Sequence, residues 1–188
     1  MALSLINRLA TLAGLGMMLA GCCANNVCDC PNEAQADAIR IVFDRAKFTT
    51  PEELDTLVLV RYLHYDIKNR PATLPKPETV TLIRTAAQIA ANDTVIVNNA
   101  TPFNQLGSAR LDTFSYVVRY YPGAKPKLRP SKLALIIDRV KLSGSLEGNG
   151  CCTCYINSRK RALARLDSSK TATYTELTFR KEVLKVTR

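Results

Sequence analysis

Seven cysteines fall into two clusters: Cys22, Cys23, Cys28 and Cys30 near the start, and Cys151, Cys152 and Cys154 late in the chain. Thiols at such short spacings pair as disulfides in an oxidising compartment or ligate zinc as thiolates in a reducing one. Cys28-x-Cys30 and Cys152-x-Cys154 are a weaker zinc signature than paired Cys-x-x-Cys knuckles, and His64 is the sole histidine that could complete a site. No metal and no cofactor are therefore expected. The same scarcity limits proton-relay chemistry. Ser-His-Asp and Cys-His nucleophiles need an imidazole, and His64 lies in a strand-like run between apolar neighbours, a setting that suits a structural role. Gly-x-Ser-x-Gly, His-Glu-x-x-His and phosphate-loop patterns do not occur in the sequence. Paired carboxylates could run glycoside hydrolysis, but no spacing among the 16 Asp/Glu selects a pair. Glu52-Glu53 is accounted for by a helix start.

The location of these thiols is set by the N-terminus. Arg8 is a sparse basic n-region, Leu9 to Leu19 form an apolar run, and Ala20-Gly21 is a small-residue pair before Cys22. The apolar run is shorter than the roughly 20 residues a transmembrane helix needs, and it contains Thr11, Gly14 and Gly16. Leu19-Ala20-Gly21-Cys22 resembles the lipobox of bacterial lipoproteins. That resemblance implies cleavage before Cys22, a thioether diacylglycerol on its sulfur and acylation of the new amine; an ordinary cleaved secretory signal is the alternative. Two or three acyl chains hold a protein on a bilayer, each buried CH₂ contributing about 0.8 kcal/mol. The next residue is Cys23, not the Asp that retains lipoproteins at the inner membrane in some bacteria, which points to the outer membrane, facing the periplasm. The rest of the chain loosely resembles uncharacterised envelope lipoproteins of the Bacteroidota. Asp55-Thr56-Leu57 and Asp93-Thr94-Val95 resemble O-glycan acceptor sites of that group.

With Cys22 assigned to lipid, six cysteines remain, three in each cluster, and these allow 15 connectivities. In extended chain Cys28 and Cys30 share one face, as do Cys152 and Cys154. An antiparallel arrangement favours Cys28–Cys154 and Cys30–Cys152, leaving Cys23–Cys151. A bridge between the clusters would close a loop worth up to ~5 kcal/mol in the chain-entropy model. Zinc thiolates and free thiols stay as the alternatives.

The formal charge of +10 is uneven. Residues 22–109 carry 8 Lys/Arg against 10 Asp/Glu, and residues 110–188 carry 17 against 6. Two dense patches stand out as candidate anion-binding residues: Lys125, Lys127, Arg129 and Lys132, and then Arg159, Lys160, Arg161 and Arg165. For an exported chain the polyanions at hand are phospholipid headgroups, lipopolysaccharide phosphates and acidic glycans, so no nucleic-acid partner is expected. A solvated basic surface is the alternative.

The elements that must position these groups are mostly strands. Residues 39–43, 55–65, 78–84, 93–97, 133–142 and 152–156 are rich in β-branched and aromatic side chains and are separated by Gly, Pro and Asn turns. Phe114, Tyr116, Val118 and Tyr120 alternate with Thr113, Ser115, Val117 and Arg119, which suits an antiparallel sheet with one buried face. Residues 174–186 close the chain as a further strand. Thr50-Pro51-Glu52-Glu53 predicts one capped helical turn, and residues 86–91 suit another. Ala162, Leu163 and Leu166 have helical spacing, so Ser158 to Ser168 leaves room for one short helix. The expected fold is all-β, an antiparallel β-sandwich of immunoglobulin-like or similar type.

The expected organisation is a signal peptide at 1–21, a lipidated, cysteine-containing tether at 22–37, and one β-sandwich domain at 38–188. The expected function is a membrane-anchored, non-enzymatic binding or structural module of the cell envelope. A glycan-acting envelope hydrolase and a polyanion-binding protein using the basic half are the alternatives. The expected partners are the membrane, through Cys22, and an anionic envelope polymer or protein.

Overall fold

A computed structural model describes residues 37–48, 50–65, 72–104, 106, 109–123, 130–149, 152–166, 171–177 and 183–187. The signal segment and Cys22 to Ala36 lie outside the described residues. Two compact units separate. The larger is Ala34–Gly144 with Asn157–Arg188; the described part of the smaller is 145–149 and 152–156, within Ser145–Ile156.

The larger unit is built of two sheets. Its strands are β1 (Ile39–Phe43), β2 (Thr56–Leu63), β3 (Glu78–Ile83), β4 (Val95–Val97), β5 (Phe114–Tyr120), β6 (Lys132–Asn149), β7 (Cys152–Leu166), β8 (Thr173–Glu176) and β9 (Leu184–Val186), with β6 and β7 continuing into the smaller unit. One sheet has the order β4-β1-β9 and the other β3-β2-β5-β6-β7-β8. The all-β, sandwich-like fold agrees with the expectation. One pairing departs from it: β9 lies parallel to β1, with Ile41 opposite Leu184 and Phe43 opposite Val186. The expected closing strand at 174–186 is divided, its first part ending the six-stranded sheet as β8 and its last part joining the other sheet as β9.

Alternation decides the faces. Ile39, Ile41 and Phe43 of β1 meet Leu57 and Leu59 of β2, Tyr116, Val118 and Tyr120 of β5, and Leu135 and Ile137 of β6 in one core. Each such side chain contributes about 1.5–3 kcal/mol relative to exposure. Phe48 stands edge-on to both Phe43 and Tyr120, with ring centroids 5.9 and 5.2 Å apart. In β6 the alternation is broken at Arg139, whose φ of 47° is left-handed. Ile137 and Val140, three residues apart, are consequently both buried.

Helical expectations fared unevenly. The helix α1 (Ala86–Ala90) begins with a capping box in which Gln88 N donates to Thr85 Oγ1 and Thr85 N donates to Gln88 Oε1. Pro51–Leu54 forms a 3₁₀ turn, but Thr50 makes no side-chain cap, and Glu53 is buried. The helical spacing at Ser158 to Ser168 was misleading: the described residues to Leu166 are strand β7. There Ala162 and Ala164 face inward opposite Thr175 and Thr173, and two-sided pairing within the sheet outweighs the weak helical period.

Arg61 occupies a core position of β2 at 3% exposure. Its guanidinium lies 4.8 Å from the Phe103 ring centroid and 4.5 Å from that of Phe114. It donates to both oxygens of Glu78 and to the Asn104 carbonyl. Stacking and charge-assisted hydrogen bonds replace the hydration it loses.

Candidate functional site

Three polar constellations are assembled from residues distant in sequence. The first surrounds Asp37, just before β1. The loop after β4 turns on Asn98, whose Oδ1 accepts from Ala100 N and Thr101 N. This places Asn99 so that its Oδ1 accepts from Leu111 N at 2.7 Å and its Nδ2 donates to Asp37 Oδ2 at 3.3 Å. Arg110 donates to the same oxygen at 3.1 Å, and Asn157 of β7 donates to Asp37 Oδ1 at 3.0 Å. Lys160, three residues further along β7, donates from Nζ to the Ala38 carbonyl. Its ammonium is buried at 4% exposure, and that burial, partly offset by Asp37, pushes it down to about 8. The cluster clamps the chain where the β-sandwich begins.

Lys160 therefore corrects the expectation of a surface patch at Arg159, Lys160, Arg161 and Arg165. Strand alternation turns Lys160 inward and its neighbours outward. Arg159 and Arg161 both engage Glu176 of β8, at 2.7 and 2.8 Å, and keep 61% and 42% side-chain exposure. The shared contact raises the Arg159 guanidinium further above its usual value and holds the Glu176 carboxyl below its own. Tyr174, opposite Leu163, lies under Arg161 at 5.4 Å and Lys141 of β6 at 5.9 Å. Arg165 and Lys132 are exposed. Lys125, Lys127 and Arg129 lie outside the described residues.

The third constellation is a serine, a histidine and an aspartate on the outer face of the six-stranded sheet. Tyr62 faces Ser115 across β2 and β5, and Ser115 neighbours Asp138 of β6. Ser115 Oγ donates to Asp138 Oδ1 at 2.5 Å, and His64 Nδ1 lies 3.0 Å from that same oxygen and 3.3 Å from Ser115 Oγ. Burial pushes the Asp138 carboxyl up; the Ser115 hydroxyl, the Arg139 amide and the His64 and Arg139 charges outweigh this and leave it below its ordinary value. A nucleophilic triad needs the two ring nitrogens to face different partners. Here one nitrogen faces both, the serine hydroxyl is committed to the carboxylate, and Ser115 is 1% exposed. This set orders three strands and does not activate Ser115. Nothing local in the sequence signals this set, because 64, 115 and 138 become neighbours only through strand order.

A cleft of about 240 Å³ lies between the sheets, lined by Leu135, Ala164 and Leu166, by Thr173 and Thr175, and by the β9 edge at Leu184. None of the described residues lining it is a carboxylate. Among the described residues no group of three His, Cys, Asp or Glu could hold a metal ion, and no helix is long and apolar enough to cross a membrane.

Cys154, in the smaller unit, is buried and disulfide-bonded. The side chains of Cys22, Cys23, Cys28, Cys30, Cys151 and Cys152 lie outside the described residues. Compared with protein-family models, curated proteins and solved structures, the chain matches none.

Proposed function

We propose that this chain is a lipid-anchored, non-enzymatic binding module of the bacterial cell envelope, held on the outer membrane and facing the periplasm. The observation that carries this reading is Leu19-Ala20-Gly21-Cys22 at the end of a short apolar run. The Asp37 clamp supports it, because it fixes the start of the β domain at a point 15 residues after Cys22. A fully extended segment of that length reaches about 50 Å, so the anchor keeps the domain close to the bilayer. The engagement of Ser115 by Asp138 favours binding over catalysis. Cys28–Cys154 and Cys30–Cys152, with Cys23–Cys151, are the disulfides that would tie the segment after the anchor to the late cysteines. Metabolic labelling with an alkynyl fatty acid tests the anchor. Label is expected on the wild-type chain and lost from Cys22→Ala, which then leaves the membrane fraction; label retained on the variant overturns the reading.

A further inference from the structure

We infer that the outer face of the six-stranded sheet over β6–β8 binds a linear acidic polysaccharide, a polymer carrying repeated carboxylate or sulfate groups. The inference deepens the binding-module reading and rests on it, while remaining independent of the lipid. Arg159, Arg161 and Arg165 point outward from one strand. Two-residue steps along a strand cover about 7 Å, so these guanidinia are spaced by roughly 7 and 13 Å along a line. Lys141 adds a cation from the neighbouring strand, beside Tyr174. The Glu176 carboxylate holds Arg159 and Arg161 together. One negative charge between two guanidinia leaves net positive charge and unused N–H donors on both. A row of oriented forks suits repeated planar anions better than a single small ion.

The acceptors on the same face choose among polyanions. Glu176 and Asp138 stand among the cations, the latter 32% exposed. These carboxylates repel the acid groups of any polyanion, and a nucleic acid or a phospholipid surface presents mainly phosphates, with few hydroxyl donors to offset that cost. A polysaccharide presents hydroxyl donors between its acid groups, and carboxylates accept from them. Tyr62 of β2 stands within reach of the Asp138 charge; burial and then Asp138 push its ionisation up, so it stays a neutral hydroxyl.

The test uses the full chain with Cys22→Ser, which keeps acyl chains and detergent out of the measurement. Titration calorimetry with heparin hexasaccharide and with a polygalacturonate oligomer should show saturable binding that weakens with salt. Arg161→Gln and Arg165→Gln should each weaken binding about tenfold and lower the salt slope by about one unit. Lys47→Gln, an exposed cation beside the other sheet, should change affinity by less than about twofold. Arg165 makes no contact with Glu176, so its variant tests the surface without breaking that pair. The inference is overturned if neither glycan binds, or if both arginine variants behave like Lys47→Gln. It is equally overturned if phosphatidylglycerol vesicles or a DNA oligomer bind as tightly as the glycans. Failure here with fatty-acid label retained at Cys22 leaves the anchor in place.

Discussion

Replacing Asp37 with alanine removes a carboxylate that accepts hydrogen bonds from Asn99, Arg110 and Asn157 and offsets the buried charge of Lys160. The charge-assisted bond from Arg110 is worth about 1.5–3 kcal/mol and the two amide bonds about 1 kcal/mol each. Removing one partner of a buried ionic set costs about 3–5 kcal/mol, because the remaining charge is left without compensation. The two routes agree on about 4 kcal/mol. In a domain of this size that lowers the melting temperature by roughly 8–16 °C. Urea unfolding followed by far-UV circular dichroism measures it, with the midpoint falling and the slope unchanged. Asp37→Asn should cost nearly as much, since one end of its amide meets the amide and guanidinium donors with a donor of its own. The double variant Asp37→Ala/Lys160→Met should be more stable than the sum of the singles by at least about 1 kcal/mol, because the stranded ammonium is gone. A cost for Asp37→Ala below about 1 kcal/mol, or strict additivity with Lys160→Met, refutes the clamp.

Other consequences are as direct. Lys160 is deprotonated near pH 8 in the folded chain and near its ordinary 10.5 when unfolded; between these values the unfolded state binds more protons, so stability rises with pH. Wild type should gain on the order of 2 kcal/mol relative to Lys160→Met between pH 8 and 9.5, and parallel pH profiles of the two would show the ammonium is not desolvated. Asp138, with its folded value lowered, stabilises above the unfolded carboxylate value, and that contribution is lost as pH falls through the folded value; Asp138→Asn should flatten the acid limb of the stability profile, and an unchanged limb contradicts the network. Arg61→Ala should cost about 3 kcal/mol and Arg61→Met about half as much, since a straight chain still fills the space between Phe103 and Phe114; equal losses in thermal unfolding would assign the whole effect to charge. Nonreducing peptide mapping of envelope-purified protein should find Cys28 joined to Cys154 and Cys30 to Cys152, and free thiols at Cys152 and Cys154 defeat that proposal.

Local sequence determined most of the strands. The alternation of Phe114, Tyr116, Val118 and Tyr120 is the buried face of β5, and Thr85 with Gln88 forms the cap of α1. Both are legible because strand period and capping depend on residues only a few positions apart. The Leu-Ala-Gly-Cys motif and the two cysteine clusters are local in the same sense. Tertiary structure alone decided that Lys160 faces inward while Arg159 and Arg161 face outward, that β9 runs parallel to β1, and that Ser158 to Leu166 is strand in spite of its helical spacing. It also brought Asp37 to Asn99, Arg110 and Asn157, and His64 to Ser115 and Asp138. A run such as Arg159-Lys160-Arg161 reads as one patch of charge until a sheet fixes which side of it meets the core. Alternation then separates neighbours to opposite faces, and buried polar groups take whichever distant partners the strand order supplies.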